Sequence, residues 1–496
     1  MLVRHNGAMK RLYTNGTIWT GIWRDGKVLT CDSVTQASGR VVALGAAAEE
    51  LPADEVVDLD GGFLMPGFAD GHAHPLKGGV AALFAPVNQE TSVAGILHAV
   101  ARWAQDHPDE PWVRGEGYDP ALAPGGTFDR VWLDEAVADR PVALRAADYH
   151  TMWVNSLALT LAGIDEHTPD PPRGVIERNP MGTLREWGAW RLVDQCLPRL
   201  TQAQRRSAAR YAMDYLTAHG ITFVQDAWVE PDDVATWEAA VETEATVRVD
   251  MALLAEPERW RDQLSWFVDV QQSGDDRLTA NAIKFFADGV IESGTAHMLE
   301  PYCGCGGRGI PNWTREELAA AVTSVVGLGF QPHVHAIGDA GVRSALDACA
   351  AAARIHGHAG HPVIAHCQVI DPRDVPRFAA LGVTANFEPL WARLDADQDL
   401  LTQPRLGPER SSRQYQMASL LRAGANVSFG SDWPITSGNP LAGISVAVSR
   451  QMPDGTPKGG WLPEERMTVD QALSAYTAGV AQQVGAKDWG TLAPGN

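Results

Sequence analysis

The pattern of apolar and polar positions changes character at about residue 66. Before it, short β-prone pieces such as 17–20 and 40–45 are separated by the turn signals Asn15-Gly16 and Asp25-Gly26. Asn-Gly and Asp-Gly are typical of two-residue hairpin turns, so residues 1–65 are predicted to form a small antiparallel β domain. After Pro66, short apolar runs alternate with long helical segments, a rhythm typical of a parallel sheet built from βα units.

Eight apolar runs after Pro66 qualify as strands of one sheet. They occupy residues 67–74, 221–227, 247–253, 282–288, 331–336, 363–368, 383–388 and 427–432. Helical patterns at 315–327, 340–356 and 374–381 separate several of them. Eight βα units favour a closed barrel over an open sheet, so the predicted fold class is α/β, a (β/α)8 TIM barrel over residues 66–480.

The gap between the first and second strands is too long for one helix. Residues 76–203 are therefore predicted to form an inserted α/β segment, with strands at 112–115 and 141–146, of the kind that builds lids and substrate walls. Residues 481–496 are expected to return toward the small β domain. Because the sequence stops at Asn496, that sheet is expected to be truncated or reduced, with an unpaired edge.

Composition narrows the classes of function. The 496 residues carry 40 basic and 61 acidic side chains, a formal net charge of −21. This acidity disfavours binding to nucleic-acid phosphates. No apolar run approaches the ~20 residues that span a bilayer, and the first 13 residues lack the apolar core of a secretory signal. We expect a cytoplasmic protein whose partner is a small-molecule substrate, without nucleic acid or membrane, and leave a homodimer open.

The six cysteines do not form a disulfide framework in a chain of this length. Cys303 and Cys305 make a Cys-x-Cys pair inside a glycine-rich run that predicts a loop. The spacing is closer than in the usual zinc motifs, so a metal site there is the less favoured interpretation.

The first predicted strand ends in a His-x-His motif, His72 and His74. Side chains alternate along a strand, so both imidazoles point the same way, into the barrel mouth. Two imidazoles so placed are a ready metal chelate. One such motif is weak evidence, and its weight depends on what the other strands carry.

Four other strands carry chemically suitable residues where barrel enzymes place their catalytic groups, at the C-terminal ends. Lys284 lies in an apolar run, a costly position for an unpaired ammonium. The remaining strands end in His333, His335, His366 and Asp432. One polar residue at a strand end is usually only hydrogen-bonded, but five converging strands predict a metal centre. Strand parity alone leaves His333 and His335 as alternatives.

These motifs, taken in order, resemble the metal-dependent amidohydrolase superfamily, in particular the branch of N-substituted formamide deformylases (amidohydrolase family 3). The resemblance runs from about Leu12 and includes His72-x-His74, the Lys284 strand, His335-Ala-Ile-Gly-Asp, His366-Cys-Gln and Gly430-Ser-Asp432-Trp-Pro. It implies an enzyme, a hydrolase of non-peptide carbon–nitrogen bonds.

The resemblance also implies two metal ions and six ligands. They are His72, His74 and Asp432 for a buried ion, His335 and His366 for an exposed ion, and a carboxylated Lys284 that bridges both. A metal-bound hydroxide would attack the substrate, and Asp432 would be the catalytic acid and base. Zinc is the expected metal, with manganese, cobalt or iron as alternatives.

Several neighbouring residues receive supporting roles. The motif position before Ala-Ile-Gly-Asp selects His335 as the ligand. His333 is then expected either to support a ligand from behind or to be a core histidine. Asp70 is expected to orient the ligands, and Asp288 to accept hydrogen bonds at its strand end.

Two residues are predicted to contact the substrate. His150, in the inserted segment, is similar to a position of that branch at which the histidine faces the substrate. Most of the 17 tryptophans fit ordinary packing, but Trp433 follows Asp432 and is predicted to form an apolar wall. The predicted reaction is hydrolysis of a C–N bond in a small, hydrophobic amide, N-substituted formamide or carbamate-like molecule.

Two other functions stay open. A deaminase acting on an amidine-type ring is the alternative within the superfamily, although the Lys284 strand favours the two-metal hydrolytic type. A metal-free binding or scaffold protein on the same barrel is the alternative from another class. The filled ligand positions argue against it, and a metal assay would discriminate the two.

Overall fold

The computed structural model describes residues 9–244, 246–304 and 306–496. The first eight residues of the predicted β domain, and Cys305 of the Cys303–Cys305 pair, lie outside the described residues. Within the described part, no helix combines the length and the apolar character needed to cross a membrane.

Two small sheets form the N-terminal part of the chain. Their strands are β1 (Lys10–Thr14), β2 (Thr17–Arg24), β3 (Lys27–Cys31), β4 (Val34–Ala37), β5 (Arg40–Leu44), β6 (Glu55–Asp58) and β7 (Phe63–Leu64), with helix α1 (Ala46–Glu49) after β5. One sheet has the order β5-β4-β1-β6 and the other β3-β2-β7. Each contains one parallel pair, so the predicted single antiparallel sheet is instead a pair of mixed sheets.

Only one of the two predicted hairpin turns joins paired strands. Asp25 and Gly26 have positive φ angles of 50° and 75° and connect the paired residues at the ends of β2 and β3. The hairpin prediction at Asn15-Gly16 is wrong, because β1 and β2 lie in different sheets. Asn15 Nδ2 donates to Asp58 Oδ1 at 2.7 Å and Thr17 N to Gly62 O at 2.9 Å. The turn is therefore held by the returning 55–64 segment.

The segment inserted after the first barrel strand forms a separate sheet. The elements are β8 (Phe68–Ala73), α2 (Pro75–Ala81), α3 (Val93–Asp106), β9 (Val113–Tyr118), α4 (Arg130–Ala136), β10 (Val142–Ala146), β11 (Thr151–Val154), α5 (Ser156–Leu161), β12 (Val175–Arg178), β13 (Met181–Arg185) and α6 (Glu186–Asp194). Strands β9 to β13 form a five-stranded sheet in the order β12-β13-β11-β10-β9. Aromatic side chains such as Phe128 and Trp153 pack its core.

Seven more parallel strands complete the barrel sheet. They are β14 (Ile221–Val229), β15 (Arg248–Leu254), β16 (Leu278–Phe286), β17 (Gln331–Ala336), β18 (Val363–His366), β19 (Thr384–Phe387) and β20 (Val427–Phe429), which follow β8 in sequential order. The helices are α7 (Gln202–Ala218), α8 (Pro231–Glu244), α9 (Trp260–Ser273), α10 (Arg315–Gly327), α11 (Asp339–His356), α12 (Val375–Leu381), α13 (Gln403–Ser411), α14 (Met417–Arg422), α15 (Pro440–Ser449), α16 (Val469–Ala475) and α17 (Ala478–Gln483). All eight strands overlap the predicted runs, and the predicted barrel is confirmed.

Main-chain hydrogen bonds join the last strand to the first. Ser431 N and Asp432 N both donate to His72 O, at 3.1 and 2.8 Å. Gly430 permits this approach, since a Cβ there would lie 2.6 Å from His72 Cβ. The closure therefore brings His72 and Asp432, 360 residues apart in the sequence, to one point at the C-terminal end of the strands, which we call the mouth of the barrel.

The C-terminal residues return to the N-terminal sheets. Leu492 N donates to Thr20 O at 2.8 Å, and Val41 N donates to Asn496 O at 2.7 Å. Because Val41 lies in the edge strand β5, the edge that was expected to be unpaired is covered along part of its length.

Candidate metal centre

Three buried side chains from three barrel strands converge at the mouth. Ligand-type atoms of His72, His366 and Asp432 all lie within 4.8 Å of one another, and the described residues contain no second such group of three. His74 Nε2 lies 2.9 Å and His72 Nε2 lies 3.6 Å from Asp432 Oδ1. This buried oxygen makes no hydrogen bond to any described residue. A buried anionic oxygen flanked by imidazoles fits a divalent cation.

A chain of hydrogen bonds behind His72 sets the position of its proton. Gln225 Nε2 donates to Asp250, so Gln225 Oε1 is the acceptor that faces His333 Nδ1, at 2.8 Å. His333 Nδ1 therefore carries hydrogen, and His333 Nε2 accepts from His72 Nδ1 at 2.7 Å. His72 Nε2 is left without hydrogen, and its lone pair lies on the side of Asp432 and Lys284. This placement of His333 behind a ligand is the kind of support that metal-binding imidazoles usually have.

The imidazoles of His366 and His335 are oriented in the same manner. His366 Nδ1 donates to Glu388 Oε2 at 2.9 Å, which leaves Nε2 free. His335 Nε2 donates to Gly289 O at 3.2 Å, which leaves Nδ1 free. The two ring centroids are 4.5 Å apart, so His335 lies beside the three-residue group.

Lys284 is completely buried in the same place. Its Nζ lies 3.3 Å from His72 Nε2 and 4.6 Å from the centre of the Phe286 ring. Burial lowers the pKa of Lys284 to about 7, although nearby carboxylates such as Asp432 oppose the shift. A large fraction of this side chain is therefore a neutral amine near neutral pH, which an ordinary lysine is not.

The backbone is strained at two of these positions. His366 has a φ of 71° and Asp432 a φ of 52°, in the left-handed region that residues with a Cβ rarely adopt. Such a conformation costs on the order of 1–3 kcal/mol and persists where the surrounding structure enforces it, often at functional sites. His366 ends β18 and Asp432 lies three residues after β20, so a turn decides where each side chain lies.

Two carboxylates near the ligands act on the backbone. Asp288 accepts from Ile337 N, Gly338 N and His297 N at 2.8–3.0 Å. Asp70 accepts from His72 N at 3.1 Å and from both Ser431 N and Ser431 Oγ. These contacts tie the ends of neighbouring strands together and match the supporting roles expected of the two residues.

The inserted segment contributes His150. Its ring centroid lies 5.3 Å from that of His335, and its Nδ1 lies 2.8 Å from Glu186 Oε2. Burial opposes the charged form, but Glu186 outweighs it and the pKa of His150 rises to about 9. His150 is therefore an imidazolium at neutral pH, beside the ligand candidates.

Trp433 packs between helices. Its indole stacks on Tyr215 of α7, with centroids 4.0 Å apart and planes 4° apart. On the α2 side, a Cβ at Gly78 would lie 2.6 Å from the indole. The substrate-contacting role expected of Trp433 finds no support in these contacts.

Other aromatic rings lie next to the ligand candidates. Trp391 stacks on His366 at 5.4 Å, with the planes 3° apart. Phe286 lies 5.1 Å from His335, and Trp228 lies 5.9 Å from His74. Trp187 joins them, 5.0 Å from Trp228 and 5.6 Å from Phe286, and with Phe286 it borders a cavity of about 350 Å³.

Sequence reasoning missed three residues of this site. Glu388 ends the seventh predicted strand, the kind of position at which the other candidates were recognised, so a signal was available. Gln225 lies inside β14 and Glu186 at the start of α6, where no motif marks them. Only the three-dimensional contacts show that each of the three orients a histidine.

Comparison with known proteins defines the class to which this barrel and its histidines belong. Residues 55–496 match the amidohydrolase family. The chain is 28% identical over 493 residues to Protein LONG AFTER FAR-RED 3 of Arabidopsis thaliana, covering 95% of this chain and 83% of the relative. It is 27% identical over 489 residues to an N-substituted formamide deformylase of Arthrobacter pascens, covering 93% and 87%.

A solved structure shares the fold. An uncharacterised metal-dependent hydrolase of Pyrococcus horikoshii OT3 superposes with a TM-score of 0.77 at 23% identity, over 98% of this chain and 95% of the other. The chain belongs to the amidohydrolase family. It is a hydrolase of carbon–nitrogen bonds other than peptide bonds.

Proposed function

We propose that the chain cleaves the C–N bond of a small N-substituted formamide or a related amide at a divalent-metal centre. The observation that carries this proposal is the set of free ligand atoms at the mouth, grouped around the hydrogen-bond-free Asp432 Oδ1. The relative named as an N-substituted formamide deformylase, which matches over nearly the whole chain, supports the choice of substrate class.

The proposed ligands are the six residues predicted from the sequence: His72, His74 and Asp432 for one ion, His335 and His366 for a second, and Lys284 between them. Imidazole and carboxylate donors suit zinc. A zinc centre supplies activation of a water molecule and polarisation of the substrate carbonyl.

Lys284 would enter this centre as a carbamate. Its neutral Nζ adds to the carbon of CO₂ and releases one proton, so a potential cation becomes an anion with two oxygen donors. The lowered pKa of Lys284 supports the step, because only the unprotonated amine has the lone pair that it needs. Complete burial then protects the product from water.

Two side chains would move or hold protons. Asp432 would take a proton from the attacking water and return it to the leaving nitrogen. His150, kept cationic by Glu186, donates a hydrogen bond to the carbonyl oxygen as negative charge develops there. The aromatic wall of Trp187, Trp228 and Phe286 would bind an apolar part of the substrate.

The test is a metal-dependent assay with matched variants. Protein loaded with zinc in the presence of bicarbonate should hydrolyse N-alkylformamides, and chelation should abolish the activity. Asp432→Asn should keep the fold and lower kcat by about 10²–10⁴-fold, the range of positioned acid–base catalysis. Full activity in that variant, or no hydrolysis of any formamide or acylamine by the metal-loaded protein, would contradict the proposal.

A further inference from the structure

A second cavity, of about 110 Å³, lies at the mouth just beyond the ligand-bearing strands. Its lining includes Ile337 and Gln368, each two residues past a candidate ligand, and Trp391, whose indole stacks on His366. The inserted segment covers it through residues that include Asp148. The cavity is therefore next to the candidate metal centre and on the side from which a barrel enzyme receives its substrate.

The lining of this cavity is acidic. Its described residues include four carboxylates, Asp148, Glu292, Asp395 and Asp397, against one guanidinium, that of Arg393. Arg393 Nε lies 3.5 Å from Asp395 Oδ2, so it balances one carboxylate and leaves three. We call this cavity, with the four carboxylates and Gln398, the acidic pocket.

Two of the five residues that define the acidic pocket have oxygens without hydrogen-bond partners. Gln398 is only 3% exposed, and neither its Oε1 nor the buried Asp397 Oδ1 accepts a hydrogen bond from any described residue. Burial, reinforced by the neighbouring carboxylates, raises the pKa of Asp397 to about 8. Leaving buried acceptors unpaired is costly, so a bound hydrogen-bond donor would stabilise this arrangement.

The other acidic groups are held in place by their own donors. Asp148 accepts from His150 N and Thr151 N at 2.9 and 3.0 Å, and Glu292 accepts from the Thr402 hydroxyl. These contacts fix the positions of both carboxyls around the unpaired oxygens, while burial raises the pKa of each. An alkylammonium bound among these carboxyls would favour their ionised forms and be attracted by them.

The arrangement suits an organic cation better than a metal ion. Among the described residues, only His72, His366 and Asp432 bring three ligand atoms within 4.8 Å of one another, so the carboxylates of the acidic pocket are too dispersed for one small ion. An alkylammonium presents three N–H donors to acceptors spread over a wider space. Trp391 and Tyr415 also line the cavity, and aromatic rings attract organic cations.

We propose that the acidic pocket binds a protonated amine on the part of the substrate that is remote from the bond being cleaved. The substrate is then an amide or formamide of a diamine-like molecule, with a cationic end in the acidic pocket. This inference rests on the proposed function for the identity of the reacting bond, but the binding of an alkylammonium does not depend on it.

Two substrates of equal shape test the inference. N-(4-aminobutyl)formamide and N-pentylformamide differ by an ammonium in place of a terminal methyl group. The zinc-loaded protein should hydrolyse the charged compound with a kcat/KM at least about tenfold higher, mainly through KM, as expected of one well-placed charged hydrogen bond. Asp397→Asn should remove most of this preference, mainly by raising KM for the charged compound. Equal kcat/KM values in the unaltered protein would overturn the inference.

A second variant, a control variant and a binding assay test the acidic pocket further. Glu292→Gln should weaken the preference if Asp397→Asn does not fold, whereas Asp399→Asn, an exposed control two residues along the same helical turn, should not. Butylammonium should change the tryptophan fluorescence of the zinc-loaded protein and bind about tenfold more weakly to Asp397→Asn, whereas 1-butanol should not compete. Equal affinity of butylammonium for the unaltered protein and for Asp397→Asn would refute the proposal that the acidic pocket binds an alkylammonium. If neither formamide is hydrolysed, the proposed function fails while the butylammonium titration still decides this inference.

Discussion

His333 Nε2 lies 2.7 Å from His72 Nδ1, and this contact decides which nitrogen of His72 is free for a metal. His333 is itself fixed by Gln225, whose amide is oriented by Asp250. Each group therefore donates to the next one toward the base of the barrel, from His72 at the mouth through His333 and Gln225 to Asp250. Removing one of the residues behind His72 should therefore weaken the hold on this ligand, although the ligand itself is still present.

Replacing His333 should weaken metal binding without removing a ligand. In His333→Leu, His72 Nδ1–H loses its buried acceptor and the ring can change tautomer or rotate. We expect about 10–100-fold lower zinc affinity, the usual effect of losing the partner behind a ligand. Competition with a chromogenic chelator measures it, with the exposed His167→Leu as the control. Unchanged affinity would mean that His333 does not hold the tautomer.

Two substitutions of Glu388 should lower the zinc affinity to different extents. Glu388→Gln retains an oxygen that can accept from His366 Nδ1–H, whereas Glu388→Ala retains none. Zinc affinity should therefore fall by about 10–100-fold in Glu388→Ala and by clearly less in Glu388→Gln. Zinc stoichiometry after dialysis gives the comparison. Similar losses in both variants would show that the negative charge of Glu388, and not its hydrogen bond, matters.

Alanine variants of Trp433 and Trp187 should differ in effect, the first on stability and the second on substrate specificity. Trp433→Ala removes an indole that is packed between α2 and α7, so it should destabilise the fold by about 3–5 kcal/mol and leave the ratio of KM values for apolar and small formamides unchanged. Trp187→Ala should instead raise KM for the apolar compounds. Thermal unfolding and steady-state kinetics distinguish the effects. A raised KM for the apolar compounds in Trp433→Ala, with the loss of stability in Trp187→Ala instead, would place Trp433 in the substrate pocket.

The close crossing of α2 and α7 depends on Gly79. A Cβ at this position would lie 2.0 Å from Ala208 O in the facing helix. Gly79→Ala should therefore force the helices apart and destabilise the protein by about 1–3 kcal/mol, the usual effect of overpacking. Gly307→Ala, where nothing lies within 4 Å of the added Cβ, is the control for denaturant unfolding. Equal midpoints would show that the helices adjust without strain.

The barrel could be predicted because its strands are apolar runs that end in polar residues. The same rule marked His72, His366 and Asp432, since parallel strands bring their C-terminal ends together. The substrate contact of Trp433 stays a prediction, because position next to a ligand says nothing about the direction of a side chain after a turn with positive φ. The hairpin prediction at Asn15-Gly16, made from the dipeptide alone, failed because pairing with a distant segment overrides the local turn preference.

The supporting residues were harder to predict for a physical reason. Glu186 and Gln225 act through hydrogen bonds to His150 and His333, 36 and 108 residues away in the sequence. No periodicity links such pairs. The acidic pocket has the same character, because its carboxylates come from the inserted segment and from separate loops that only the folded barrel assembles.

The most direct test of the proposed metal centre is X-ray diffraction at the zinc absorption edge, on crystals grown with zinc and bicarbonate. We predict anomalous peaks at about 2.0–2.2 Å from His72 Nε2 and from an oxygen of Asp432, with a second ion near His335 and His366. Extra density should extend Lys284 Nζ as a carbamate between them. Crystals with no zinc at the mouth, and with these side chains hydrogen-bonded only to one another, would contradict the account.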